Sequence, residues 1–256
     1  MSTHTLLASM EVLSGMFAAL TAIRTFRFGL NGRYRFLFAY LVFLVPYNIY
    51  PVAVDLKSKT YFWVWVITEP ITWAFEICVV RELCGLVLEQ YRGLCTIGRW
   101  VMYIGVAVSA AVSLVSLLLR IPSSLPQRSR LLYYWYAGDR GVHLALALFL
   151  LLMILAASRY PVPLCRNVVL NATMFTLLFF GTTLASLLRA LFDLRVADFV
   201  NLGLTMASTA SLAIWFFFLT PAGEKSEVEL ARFRPDHEQR ILQRLDEFNR
   251  FVLDLT

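Results

Sequence analysis

Charge is scarce in this chain, and so are the residues that do covalent or metal chemistry. Only 16% of its 256 residues are charged, and it has three histidines and four cysteines. His4, His143 and His237 stand far apart, so no His-Glu-x-x-His zinc motif forms. No Gly-x-Ser-x-Gly nucleophile elbow occurs. A single histidine inside an apolar segment cannot ligate a haem from both sides. The last apolar segment has no lysine, which excludes a retinal-type Schiff base. Asp139 has no second aspartate in a matching motif, so an intramembrane aspartyl pair is unsupported. Cys78 and Cys84 lie too far round one helix to pair, Cys95 and Cys165 fall in loops, and no Cys-x-x-Cys exists. Neither a cofactor, a metal nor an enzyme activity is expected.

What is present is apolar length. Hydrophobic residues make up 59% of the chain, and the mean hydropathy is +0.67. A bilayer-crossing helix takes about 20 mostly apolar residues. Seven stretches meet that, roughly 5–23, 36–54, 61–80, 100–119, 133–157, 167–188 and 196–219. The expected fold is all-α: a polytopic membrane protein with a bundle of seven transmembrane helices over 1–222. A charged tail follows over 223–256. The first stretch is not preceded by basic residues but followed by Arg24 and Arg27, the reverse of a secretory leader, so it is read as a retained helix. With the N-terminus outside, the inner side collects twice the Lys and Arg of the outer side, although the tail supplies most of the difference. The expected location is a bacterial inner membrane, N-terminus outside and C-terminus cytoplasmic. The net charge of +6 then faces anionic lipid, and no nucleic-acid partner is implied.

Along the segments, Pro46 and Pro51 interrupt the second and Pro70 the third, which predicts kinks and freed backbone groups. Gly105, Ser109 and Ser113 recur four apart, as do Gly203, Ala207 and Ser211, a spacing that lets helices approach closely in lipid. Tyr47, Tyr50, Tyr61, Trp63, Tyr133, Tyr134, Trp135 and Tyr136 cluster at the outer ends of the second, third and fifth segments as an interfacial belt. Arg81 and Glu82 close a third helix long enough to protrude into solvent. Asn171-Ala-Thr173 matches a glycosylation sequon but falls inside an apolar run. In the tail, Pro235-Asp236 starts a helix on which Ile241, Leu245, Phe248, Val252 and Leu255 form an amphipathic stripe. That helix, over about 236–253, packs on the bundle or membrane or presents Leu245 and Phe248 to a partner protein or a second copy.

The intramembrane charges are the most informative residues, because each costs about 2.5–3.5 kcal/mol to insert. At about 1.5 Å per residue, Glu11, Glu69 and Arg140 all fall roughly 9–12 Å below the outer boundary. His143 is one turn below Arg140, and Asn48, Asn201, Thr182 and Ser186 reach a similar level. Glu76 shares a helix stripe with Glu69 and lies nearer the middle. These residues define a candidate ligand or ion site, or a polar network that only fixes helix register. Within it, Glu69 and Arg140 are expected to form an ion pair, since arginine cannot shed its charge. The excess of acids suits a cation, an amine or a proton.

Short motifs also carry a resemblance. Tyr61-Phe62-Trp63-Val64-Trp65 with Thr68-Glu69-Pro70, then Arg81-Glu82-Leu83, then Asp139-Arg140-Gly141-Val142, resemble an uncharacterised family of bacterial seven-helix membrane proteins. The resemblance implies the architecture and gives weight to Glu69, Glu82 and Arg140; it implies no activity. The functional expectation is a seven-helix sensor or accessory subunit of a complex, with an outward-facing polar site. The alternative is a proton- or cation-coupled transporter using the acids of the third helix, against which no inverted repeat is found. The topology is directly measurable. A C-terminal alkaline phosphatase fusion should be inactive and a C-terminal fluorescent fusion bright; the opposite result inverts the orientation.

Overall fold

A chain this apolar in lipid must satisfy its backbone within each segment, so it folds as helices. The computed structural model describes residues 3–54, 58–88, 98, 100–109, 111, 127–159, 164–192, 194–225 and 227–228. Its helices are α1 (Thr3–Arg27), α2 (Arg35–Ala53), α3 (Lys59–Val87), α4 (Trp100–Ser109), α5 (Gln127–Arg159), α6 (Arg166–Phe192), α7 (Leu194–Phe218) and the short α8 (Pro221–Lys225). Among the described residues, α1, α2, α3, α5, α6 and α7 are long and apolar enough to cross a membrane. α4 is the first half of the expected fourth segment; the rest of 100–119, apart from Ala111, lies outside the described residues. So does the expected tail helix over 236–253, with Leu245 and Phe248.

The six long helices close a ring in the order α1, α2, α3, α5, α6, α7 and back to α1. Directions follow from paired residues. Tyr47 meets Glu69 and Phe36 meets Glu82, so α2 and α3 are antiparallel. Trp65 meets Tyr136, Trp73 meets Asp139 and Glu76 meets His143, so α3 and α5 run parallel. Inside the ring, Phe175, Phe179, Leu146, Leu150, Leu212 and Trp215 are almost fully buried, with Phe175 and Trp215 ring centroids 4.9 Å apart. Outside, Val12, Met16 and Ile23 on α1, Trp63 and Ile67 on α3, and Leu152 and Leu155 on α5 are exposed at helical spacing. Apolar stripes turned outward are what a lipid solvent requires.

Local chemistry sets the helix ends. Gly29, at φ 68°, takes the left-handed conformation that closes α1, which a side chain would strain. The start of α2 is capped from another helix: Glu82 accepts from the backbone N–H of Phe36 at 3.1 Å and of Leu37 at 3.2 Å. A carboxylate there satisfies two orphan donors and opposes the helix dipole. Arg81 is exposed as expected, but Glu82 is half-buried in this role and not simply solvated. The Ser58 hydroxyl caps α3 by accepting from Tyr61 N–H at 3.0 Å. Pro46, Pro51 and Pro70 lie within continuous helices. Before Pro70 the Thr68 hydroxyl bonds back to the Val64 and Trp65 carbonyls.

Close helix approach comes from glycines other than those expected. A Cβ on Gly15 would sit 3.3 Å from Ile49, and one on Gly138 3.3 Å from Trp73, whereas nothing described lies within 4 Å of Gly105 or Gly203. Asn171 is fully buried on α6, which agrees with reading its sequon as coincidental.

At the end where α1, α3 and α7 finish, Glu224 of α8 joins the α1–α2 loop to the start of α6. It accepts from Tyr34 Oη at 2.7 Å and from Asn167 Nδ2, and pairs with Arg33 Nε at 3.0 Å. Burial and then the Glu224 hydrogen bond push the Tyr34 phenol above its ordinary value, so it stays a donor. Asn167 also donates to the Thr220 carbonyl at 2.8 Å. β1 (Leu164–Cys165) and β2 (Glu227–Val228) pair antiparallel beside it. A Cβ on buried Gly223 would overlap the Asn167 amide. Gly223→Ala should therefore destabilise the detergent-solubilised protein by about 1–3 kcal/mol, the cost of overpacking. Gly203→Ala, in open space on a helix, should be neutral or slightly stabilising. Equal melting temperatures for the two variants would contradict the Glu224 clasp.

Candidate functional site

At the opposite end the ring opens into a cavity of about 770 Å³. Every membrane-length helix contributes to its wall: Glu11 from α1, Asn48 from α2, Glu69 and Glu76 from α3, Asp139 and His143 from α5, Thr182 and Arg189 from α6, and Asn201 from α7. Of these, the helix rise puts Glu11, Asn48, Glu69, His143, Thr182 and Asn201 near one depth, with Glu76 deeper. The size is that of a small-molecule site, not of an ion cage. Among the described residues no group of three His, Cys, Asp or Glu is placed to hold a metal ion.

A buried triad ties the cavity floor together. His143 places Nε2 3.0 Å from Glu76 Oε2 and Nδ1 3.0 Å from Asp139 Oδ1. All three side chains are buried, at 5–7% exposure. Asp139 accepts further from Trp73 Nε1 at 3.1 Å and from Ser186 Oγ at 3.3 Å. The triad thus joins α3, α5 and α6. A neutral imidazole has one N–H, so it donates to both carboxylates only as the imidazolium. The His143 ring packs on Phe179, with centroids 5.5 Å apart.

Above the triad, Glu69 Oε2 accepts from Tyr47 Oη at 3.1 Å. Asn48 turns its amide back to the Leu44 carbonyl at 2.8 Å. Arg189 donates to Asn201 Oδ1 and stands 5.7 Å from the Tyr136 ring centroid. Aromatic rings form much of the remaining wall, including Tyr40, Tyr50, Tyr61 and Trp65.

Six of the seven residues expected at the site, Glu11, Asn48, Glu69, Glu76, His143 and Asn201, line this one cavity. Arg140 does not: it is half-buried and outside the lining. No Glu69–Arg140 ion pair occurs among the described residues; the pairs in the wall run through His143. The reason is rotational. Depth along a helix can be counted from sequence, but each residue turns the side chain about 100°. The inward stripe of α5 is Asp139 and His143, at i and i+4, and Arg140 is one step off it. Sequence reasoning missed Asp139 as the centre of the network, although that i, i+4 spacing was a usable signal. It also missed Arg189, placed in a loop, and the wall tyrosines, read only as an interfacial belt.

Comparison with protein-family models, with curated proteins and with solved structures returns no match. Function has to be read from the geometry. If the triad is one unit, the loss from Asp139→Asn combined with His143→Leu should fall short of the sum of the single losses by on the order of 1 kcal/mol or more. Arg140→Gln should cost much less than either. Additive losses in detergent unfolding, or an Arg140 effect as large as that of His143, would refute this assignment.

Proposed function

We propose that the protein is a seven-helix sensor or accessory subunit of a bacterial inner membrane that takes a small ligand into the cavity at its outer end. The observation that carries the reading is the cavity itself: all six membrane-length helices meet around it, so an occupant contacts each of them. A second support is the other end of the bundle. There Glu224 links the base of the tail to the loop before α2 and to the start of α6, a position from which a change in helix packing reaches the tail. The tail's Leu245 and Phe248 are the contacts proposed for a partner or a second copy. The seventh crossing is supported by parity. α3 and α5 run parallel, so the chain between residues 88 and 127 returns from one end of the bundle to the other. The N-out orientation is proposed on the basic tail.

A second reading, a proton- or cation-coupled transporter, is favoured by one observation: His143 lies 3.0 Å from both the Glu76 and the Asp139 carboxylates at the cavity floor. Against it, Phe175, Phe179 and Trp215 pack tightly beneath. Proteoliposomes loaded with a pH-sensitive dye decide between the two. Under an imposed potential the protein should add no proton flux to that of protein-free vesicles. Flux that Glu76→Gln abolishes would replace the sensor with the transporter.

A further inference from the structure

We propose that the ligand of the cavity is an organic monocation, an amine or quaternary ammonium with an apolar body, whose charge is neutralised by Glu69. The proposal rests on the reading that the cavity takes a small molecule, and adds what kind.

Charge comes first. Glu76 and Asp139 share His143, and Arg189 is engaged with Asn201 and the Tyr136 ring. Glu69 has no cationic partner among the described residues; its one hydrogen bond is from the Tyr47 hydroxyl. A carboxylate inside a bundle is costly unless a positive charge or water meets it. Glu69 is therefore a carboxyl group with no cationic partner among the described residues, facing a space of about 770 Å³.

The surroundings select an organic cation over a bare one. Around Glu69 the wall is aromatic: Tyr50 and Tyr61 stack at 6.1 Å and 7°, and Trp65 packs on Tyr136 at 6.0 Å. Ring faces attract ammonium groups that have shed water, most strongly in enclosed sites. A bare metal cation instead needs several oxygen ligands at short range, and among the described residues no group of three His, Cys, Asp or Glu is placed to hold one.

The test uses the full chain purified in a neutral maltoside detergent. Benzyltrimethylammonium is titrated against benzyl alcohol and benzoate, with intrinsic tryptophan fluorescence and melting temperature as readouts. Benzyltrimethylammonium should bind saturably and at least tenfold more tightly than either control. Glu69→Gln should weaken it at least tenfold. Tyr61→Leu, which leaves every carboxylate in place, should weaken it severalfold and keeps the test informative should the Glu69 variant fail to fold. Equal binding of benzyl alcohol, or an unchanged affinity in Glu69→Gln, overturns the cation proposal while leaving a ligand cavity. Binding by none of the three probes overturns the proposal and the ligand reading together.

Discussion

His143, held between Glu76 and Asp139, is the contact on which the cavity depends. Its two ring nitrogens reach carboxylates on different helices, and Asp139 extends the link to Trp73 and to Ser186 of α6. Away from water, none of these groups tolerates losing its partner. That intolerance fixes the rotation of α3, α5 and α6 about their own axes more sharply than apolar packing does, because leucines facing lipid and leucines facing leucine differ little in energy. With those three helices set, the acids and rings above the triad are held around one space.

The sequence revealed depth better than direction. The inference that Glu11, Asn48, Glu69, His143 and Asn201 share a level needed only segment boundaries and the helix rise, and these residues do line one cavity. Pairing Glu69 with Arg140 needed the rotational phase of two helices, which no single periodicity supplies when α5 is apolar nearly all round. Charge misled here: arginine looks like the residue most in need of a partner. Yet Arg140 stands off the inward stripe, and the histidine on that stripe takes the acids. Of the small-residue stripe on α7, Ser211 is buried but the other two members are not. Gly203 and Ala207 are exposed, and small residues at that spacing permit close packing without requiring it. The caps from Glu82 to α2 and from Glu224 to Tyr34 join residues far apart in sequence, beyond the reach of any local pattern.

The two ends of the bundle treat their carboxylates differently, and that difference bears on whether the intramembrane charges serve structure alone. At the tail end Glu82 meets two backbone N–H groups, and Glu224 meets Tyr34, Asn167 and Arg33. These are networks whose donors the chain itself supplies, which is what a register device requires. The triad at the cavity floor is of the same kind. Glu69 is not: among the described residues one phenol hydroxyl is its whole complement. A bundle able to provide for Glu82, Glu224, Glu76 and Asp139 had the means to place a cation opposite Glu69, and Arg140 is only one residue from the stripe that would have done it. A carboxyl group with no cationic partner among the described residues, beside an open space, is better explained by something that arrives from outside than by a need for helix register.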